Sequence, residues 1–184
     1  MIVGILGGTF DPPHIGHLGA ARAARDSTLV EEVWLVPCVR HAFGKVPATF
    51  EHRMTMCALL VAGHEGIEVS DAEARLAEPG KTLELILGLK REDPDQIYRL
   101  IAGADIYHQR HLWHRYDEVA KLAPPIYVGR EGVDPIDQPT LPAPPGVSSS
   151  QIREQLERRE QPAHGIPVSI LDYIEKHRLY GWSQ

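Results

Sequence analysis

Two histidines follow a glycine pair near the start of the 184-residue chain, within Gly7-Gly8-Thr9-Phe10-Asp11-Pro12-Pro13-His14-Ile15-Gly16-His17-Leu18. A glycine pair lets backbone N–H groups approach a phosphate closely, and the start of a following helix adds free donors and a favourable dipole. Their spacing places His14 and His17 on one face of the first helical turn. Paired imidazoles beside such a turn can donate hydrogen bonds to phosphate oxygens as charge develops on them, without a covalent intermediate. The string therefore indicates phosphoryl chemistry.

Two common phosphate motifs do not account for this turn. It lacks the Gly-Lys-Ser/Thr ending of a P-loop, and it is not the GxGxxG fingerprint of dinucleotide-binding folds. Two histidines three residues apart are also compatible with a chance pair or with half of a zinc site. The interpretation as a phosphoryl site therefore rests on the whole string rather than on the imidazoles alone.

Hydroxyl side chains and an arginine form a second candidate anion site, in Val147-Ser148-Ser149-Ser150-Gln151-Ile152-Arg153. Ser148 followed by Gln151 fits a capping box and predicts a helix start. Hydroxyl and N–H groups at a helix start bind anions. Arg153 lies four residues after Ser149, on the same helix face, where it supplies a fixed positive charge. A capped surface helix with a solvated arginine is the alternative.

Short apolar runs alternate with helical patterns along the chain. Strands are predicted at 1–6, 33–36, 67–69, 97–102 and 126–128, and helices at 14–25, 50–62, 82–89, 149–159 and 168–177, with another helix ending at 122. Strands that alternate with helices predict a parallel sheet with helices on both faces. In such sheets ligands bind at the carboxyl ends of the strands, which is where the glycine pair lies.

The proline-rich stretch 132–146 allows two domain organisations. It carries five prolines and two glycines, a composition that suits a linker. Only 38 residues follow it, however, which are too few for a comfortable independent domain. We favour a loop that returns the chain to the same body, so residues 1–184 are expected to form a single domain.

Composition narrows the class of partner. A net charge of −6 argues against a general nucleic-acid binder, which would normally carry a basic stripe. No apolar run approaches the ~20 residues of a membrane span, and the first residues lack the pattern of a signal peptide. Cys38 and Cys57 cannot form a disulfide framework. We therefore expect a cytoplasmic protein without a nucleic-acid or membrane partner; a homo-oligomer is left open.

The two candidate anion sites resemble those of a known superfamily. His14-Ile15-Gly16-His17 spells the HIGH-type nucleotidyltransferase motif literally, and the second string resembles the ISSTxIR element of the same superfamily. Further segments are similar to the nicotinate-nucleotide adenylyltransferase family. Gly103-Ala104-Asp105 resembles the family's GAD element, and Trp113 falls where the family has a tryptophan that stacks on the nicotinate ring. Arg53-Met54 resembles the Arg-Met start of a family helix, and Leu179-Tyr180 resembles the LY ending. The resemblance covers most of the chain.

This resemblance implies both a fold and a reaction. The fold is α/β, a Rossmann-like doubly wound parallel sheet with C-terminal helices. The reaction transfers the adenylyl group of MgATP to nicotinate mononucleotide, giving nicotinate adenine dinucleotide (deamido-NAD) and pyrophosphate in NAD biosynthesis. The mononucleotide phosphate attacks the α-phosphorus directly, so the enzyme aligns the reactants and stabilises charge. Mg²⁺ arrives with ATP and is held mostly by phosphates and water.

The resemblance also assigns roles to individual residues. The expected catalytic residues are Thr9, His14, His17 and Arg153. The expected ATP-binding residues are Gly7, Gly8, Thr9, Phe10, His14, Gly16, His17, Gly103, Asp105, Ser148, Ser149, Ser150, Ile152 and Arg153. The expected substrate-binding residues, on the mononucleotide side, are Lys45, Arg53, Thr82, Trp113 and Arg130. No protein ligand to a metal is expected.

Some family elements differ here, and they fall around the mononucleotide pocket. Of the PPHK-like string only Lys45 matches, one residue late, and of the SYT element only Thr82 is kept. The same chemistry on nicotinamide mononucleotide, phosphopantetheine or a phosphorylated alcohol with CTP therefore stays open. A catalytically silent nucleotide-binding protein is the alternative from another class. We expect His108, His111 and His114 to line a polar cleft or face solvent rather than to bind a metal.

Overall fold

The computed structural model describes residues 1–39, 48–162 and 164–182. Their strands are β1 (Ile2–Gly8), β2 (Glu32–Pro37), β3 (Ile67–Val69), β4 (Ile97–Gly103), β5 (Pro125–Val128) and β6 (Thr140–Leu141). Their α-helices are α1 (Ile15–Asp26), α2 (Phe50–Val61), α3 (Thr82–Glu92), α4 (Ala104–Gln109), α5 (Tyr116–Leu122), α6 (Ser149–Glu157) and α7 (Val168–Lys176). Short 3-10 turns lie at Ala72–Arg75, Arg110–Leu112 and Leu179–Gly181.

These strands form one parallel six-stranded sheet in the order β3-β2-β1-β4-β5-β6. The chain moves outward from β1 to β3 and then returns to the other side of β1 with β4. That reversal leaves a crevice at the carboxyl ends of β1 and β4, where ligands bind in sheets of this order. The predicted Rossmann-like, doubly wound α/β fold is confirmed.

Helices cover both faces of the sheet and bury an apolar stripe against it. One face carries α1, α2, α6 and α7, with side chains such as Met56 and Ile170 in the core. The other face carries α3 and α5, with Ile86 and Val119 in the core. Full burial of such a side chain stabilises a fold by about 1.5–3 kcal/mol. The two helix layers therefore stabilise the sheet, including the edge where the crevice lies.

Three details differ from the sequence-based expectation. β1 continues through Gly7 and Gly8, which pair with the end of β2, so the glycine pair ends the strand instead of forming the turn. The six-residue helix α4 follows β4 directly and is too short for apolar periodicity to reveal it. The two-residue strand β6 lies inside the proline-rich stretch and pairs with β5.

Cys38 and Cys57 are free thiols, and Cys57 is buried. Within 1–39, 48–162 and 164–182, none of the helices has the length and apolar character that crossing a membrane requires.

Candidate active site

A cleft of about 610 Å³ opens at the carboxyl ends of β1 and β4. Both candidate anion sites contribute to it, together with the segments that follow β4 and β5. Its lining includes Gly7, His14, Gly16, His17, Gly103, Asp105, Arg130, Glu131, Ser148, Ser149 and Ser150. The two sites also touch directly, because the Ser149 hydroxyl donates to the Pro12 carbonyl oxygen at 2.8 Å across 137 sequence positions.

The two imidazoles stack against each other in the cleft. Their ring centroids lie 3.7 Å apart, with 25° between the ring planes. The backbone N–H of His14 donates to Nδ1 of His17 at 3.2 Å, which places the proton of a neutral His17 on Nε2. Nδ1 of His14 is buried without a hydrogen-bond partner among the described residues. Nε2 of His17 is therefore the imidazole N–H that can donate to a ligand.

Burial sets the protonation state of these rings. It lowers the pKa of His14 to about 4, with a smaller contribution from the positive charge of Arg130. Burial also lowers the pKa of His17 well below its usual value, and the nearby His14 and Arg130 lower it further by smaller amounts. Both imidazoles are therefore neutral at pH 7, so they can offer an anion a hydrogen bond but not a positive charge.

Two glycines on α1 let the proline-rich stretch form one wall of the cleft. A β-carbon on Gly16 would lie 3.0 Å from the His14 ring and 3.2 Å from the Pro145 carbonyl oxygen. A β-carbon on Gly19 would lie 2.7 Å from the β-carbon of Pro144. Non-bonded carbons normally stay about 3.5–4.0 Å apart. The wall can therefore lie this close to α1 only because both positions lack a side chain.

The guanidinium of Arg153 lies against the loop that carries the imidazoles. Its Nη1 donates to the Asp11 carbonyl oxygen at 2.5 Å, and its Nη2 donates to the Ser150 hydroxyl at 3.2 Å. Arg153 is not among the residues that line the cleft, so it stands beside the cavity rather than inside it. The structure thus brings this distant charge next to the loop before His14.

The helix α6 begins after Ser148, as predicted, but the predicted capping box is wrong. The side chain of Ser148 makes no capping hydrogen bond to the first turn. Ser148 and Gln151 both line the cleft instead. Their polar groups are therefore not committed to the helix, and the first turn of α6 keeps N–H groups that an anion can engage.

An ion pair stands at the β4–β5 side of the cleft. Nη1 of Arg130, which follows β5, donates to Oδ2 of Asp105 at 2.7 Å. Asp105 lies in the first turn of α4, directly after Gly103 and Ala104. A side chain on Gly103 would collide with the Asp105 carboxylate, so this glycine lets β4 and α4 meet tightly at the cavity.

Three of the expected binding residues are buried beside the cleft instead of lining it. Phe10 and Ile152 are core residues, each 1% exposed. The Phe10 ring packs edge-on against His17, with 4.8 Å between centroids. Arg53 is buried as well, and its Nη1 donates to the Thr9 carbonyl oxygen at 2.7 Å. The side chains of these three residues hold the loop and α6 and do not line the cleft.

The residues expected on the mononucleotide side do not gather in one place. Arg130 lies in the cleft close to the imidazoles. Thr82 is the first residue of α3, and Trp113 packs edge-on against Tyr116 with 6.1 Å between ring centroids; neither lines the cleft. Lys45 lies outside the described residues.

Sequence reasoning misses several residues of the cavity. Pro144 and Pro145 form a wall, and Glu131 lines the cleft with its carboxylate against Gly146. Gly16 and Gly19, about one turn apart on α1, indicate close packing there, but they do not predict which segment packs against them. Nothing in the sequence marks Glu131.

In the part of the chain that the structure describes, no three histidine, cysteine, aspartate or glutamate side chains lie close enough to hold a metal ion. Among the described residues, the His14–His17 pair has no third ligand that would complete a zinc site. Of the three clustered histidines, His108 donates from Nε2 to the Asp134 carbonyl oxygen at 3.1 Å.

Known proteins resemble this chain over nearly its whole length. The family model described as cytidylyltransferase-like matches residues 5–155. A probable nicotinate-nucleotide adenylyltransferase of Anaeromyxobacter dehalogenans (strain 2CP-1 / ATCC BAA-258) is 44% identical over 181 residues, covering 97% of this chain and 96% of that protein. The chain belongs to the nicotinate-nucleotide adenylyltransferase family. Another probable member, from Oceanobacillus iheyensis, is 32% identical over 191 residues, covering 99% and 98% of the two chains.

Solved structures share the fold of this nicotinate-nucleotide adenylyltransferase family member. The nicotinic acid mononucleotide adenylyltransferase of Plasmodium falciparum complexed with NaAD has a TM-score of 0.83 at 20% identity, covering 99% of this chain and 98% of that one. The same protein complexed with APC has a TM-score of 0.82. The relatives thus confirm the family predicted from the sequence, and with it a nucleotidyltransferase enzyme.

Proposed function

We propose that this chain transfers the adenylyl group of MgATP to nicotinate mononucleotide, giving nicotinate adenine dinucleotide and pyrophosphate. The observation that carries the proposal is the shared cleft, in which the stacked imidazoles of His14 and His17 meet the start of α6. Neutral imidazole donors, helix N-termini and hydroxyls suit a chain of phosphates. A volume of about 610 Å³ is within the range of small-molecule sites.

The cleft offers separate partners for the phosphates and the ribose of ATP. The first turn of α1 and the two imidazoles suit the transferring phosphoryl group. Ser148, Ser150 and the adjacent Arg153 suit the β- and γ-phosphates, because hydroxyls and a guanidinium all donate. The Asp105 carboxylate accepts hydrogen bonds, as it does from Arg130, and therefore suits ribose hydroxyls.

The reaction requires no nucleophile from the protein, because the mononucleotide phosphate is already one. It attacks the α-phosphorus of ATP, the bond to the bridging oxygen breaks, and pyrophosphate leaves. His17, neutral at pH 7, donates from Nε2 to the oxygens that gain charge, and His14 and Thr9 complete the contacts. Alignment and preorganised donors account for the acceleration.

The metal ion of this reaction enters as part of the substrate MgATP. Mg²⁺ prefers oxygen ligands and keeps several waters, so the phosphates and water would hold it. The carboxylates that line the cleft are Asp105 and Glu131, and Asp105 is paired with Arg130. This donor set matches a metal carried by its nucleotide.

We assign Lys45, Thr82 and Trp113 to the acceptor on the family resemblance, and Arg130 to the boundary between acceptor and nucleotide because it lines the cleft. Thr82 begins a helix that precedes β4, so it lies at the same edge of the sheet as the cleft. We also propose that residues 1–184 act as one domain and that the enzyme works in the cytoplasm.

Pyrophosphate release tests this assignment. The protein is incubated with ATP or CTP against nicotinate mononucleotide, nicotinamide mononucleotide, phosphopantetheine and a phosphorylated alcohol. We expect the highest kcat/KM with ATP and nicotinate mononucleotide. Faster release with another pair reassigns the substrate, and no release with any pair indicates a catalytically silent protein.

A further inference from the structure

The loop between β1 and α1 is held in place by distant elements. Its carbonyl oxygens at Thr9, Asp11 and Pro12 accept hydrogen bonds from the side chains of Arg53, Arg153 and Ser149, respectively. Buried backbone groups require such partners. The position of His14, which follows this loop directly, therefore depends on α2 and α6 as well as on the local sequence.

Tyr180 reaches the same loop from the end of the chain. Its hydroxyl donates to Oδ1 of Asp11 at 2.5 Å, across 169 sequence positions. Asp11 is 3% exposed and Tyr180 is 9% exposed, so the hydrogen bond lies in the interior, where a bond to a charged group is strong. The backbone of Tyr180 is left-handed, with φ 56°. Residues other than glycine rarely adopt that conformation, so the surrounding contacts must hold it.

Asp11 joins three parts of the molecule. Its carboxylate receives the Tyr180 hydroxyl and the backbone N–H of Ala48, just before α2, and Arg53 and Arg153 are the positive charges that act on it. Burial raises the pKa of Asp11, whereas the Tyr180 hydroxyl and then Arg153, Ala48 and Arg53 lower it. A buried carboxylate that loses one of its partners is destabilised strongly.

We propose that Tyr180 is a positioning residue that acts through Asp11 to fix the loop carrying His14 and His17, so that the C-terminal turn belongs to the catalytic apparatus. Neither Tyr180 nor Asp11 lines the cleft, so the role is indirect. The inference rests on the proposed function, because that function gives the imidazoles their task.

Tyr180→Phe tests the role, since it removes the hydroxyl and keeps the ring. We expect kcat for adenylyl transfer to fall by about 10–100-fold, with each KM changing less than about threefold, because a small displacement of aligned groups lowers the rate steeply. The acid limb of the kcat profile should move to higher pH. The ionised form of Asp11 loses a donor, so its pKa rises.

Tyr173→Phe is the matched control. Tyr173 lies on α7, and its hydroxyl is hydrogen-bonded to Nδ1 of His52 at 2.8 Å, away from the loop. This variant makes the same atomic change in the same C-terminal region. We expect it to lower the melting temperature at most, with kcat and the acid limb as in the wild type.

A Tyr180→Phe protein that melts earlier but keeps wild-type kcat and the wild-type acid limb overturns the proposal. If this variant does not fold, Asp11→Asn provides the second test. Its amide oxygen still accepts from Tyr180, but the negative charge that Arg53 and Arg153 face is lost, so we expect kcat to fall by about 10–100-fold. A wild-type kcat in Asp11→Asn also overturns the proposal.

Imidazole NMR separates this inference from the proposed function. The ring resonances of His14 and His17 should shift in Tyr180→Phe or Asp11→Asn and stay unchanged in Tyr173→Phe. Unshifted resonances contradict the positioning role whatever the enzyme's substrate. A wild-type protein that makes no dinucleotide, with shifted resonances in the variants, contradicts the proposed function alone.

Discussion

Replacing Gly19 with alanine tests how closely the proline wall must approach α1. The new β-carbon would lie 2.7 Å from the β-carbon of Pro144 and 3.4 Å from Cδ of Pro145. Carbon atoms in favourable contact are about 3.5–4.0 Å apart, so the wall must retreat by roughly 1 Å. Consecutive prolines have restricted backbones, and the segment is therefore expected to move as a unit.

Gly19→Ala should lower both the stability and the activity of the protein. Alanine in place of glycine stabilises a helix interior by about 0.5–1 kcal/mol, and overpacking costs about 1–3 kcal/mol. The free energy of unfolding should therefore fall by between about zero and 2.5 kcal/mol. A displacement of about 1 Å in a binding wall can cost on the order of 10²-fold in rate. We expect kcat/KM for ATP to fall by about 10–100-fold.

Pyrophosphate release at varied ATP and saturating acceptor measures the effect, and urea unfolding measures stability. Gly88→Ala is the control. Its β-carbon would lie 2.6 Å from Cδ2 of Leu76, in the α3 layer on the other face of the sheet. It should lower stability without changing kcat/KM for ATP. A folded Gly19→Ala protein whose kcat/KM for ATP stays within about twofold of the wild type would show that ATP binding does not depend on the close approach of Pro144 to α1.

Three further predictions concern the site and its surroundings. His17→Ala should lower kcat by roughly 10²–10⁴-fold while circular dichroism shows a retained fold; near-normal turnover removes the residue from the reaction. Trp113→Ala should raise KM for the mononucleotide and barely change KM for ATP, and a rise confined to ATP contradicts ring stacking. His14 has a pKa of about 4 in the folded protein and 6.5 as its usual value, so the unfolded chain binds a proton first as pH falls. Its stabilising contribution is present above pH 6.5 and is lost toward pH 4. Denaturant unfolding should therefore show wild type losing about 2 kcal/mol more than His14→Gln between pH 7 and pH 5, and equal losses contradict a buried, neutral imidazole.

Local spacing explains what the sequence predicts well. The stack of His14 on His17 follows from their three-residue separation at the start of α1, where His14 is the N-cap residue and His17 lies in the first turn. The placement of the glycine pair at the ligand-binding edge follows from one apolar strand and a helix start. The alternation of strands and helices predicts the parallel sheet, because a parallel crossover needs a helix-length connection.

Long-range contacts explain what the sequence does not predict. The capping box at Ser148 fits local rules, but in the folded protein its hydroxyl makes no capping bond and the residue lines the cleft. Arg53 matches a family position expected to bind the substrate, but its side chain is buried and donates to the Thr9 carbonyl oxygen. The contact between Asp11 and Tyr180 spans 169 positions, and the local sequence around neither residue predicts it.

The fate of the α-phosphorus distinguishes adenylyl transfer from any other phosphoryl chemistry at this site. The protein is incubated with nicotinate mononucleotide and ATP labelled either on the α- or on the γ-phosphorus, and the products are separated. We predict that the α label appears in the dinucleotide and that the γ label leaves in pyrophosphate. Transfer of the γ label to the acceptor, or an α label recovered only in free AMP, would contradict it.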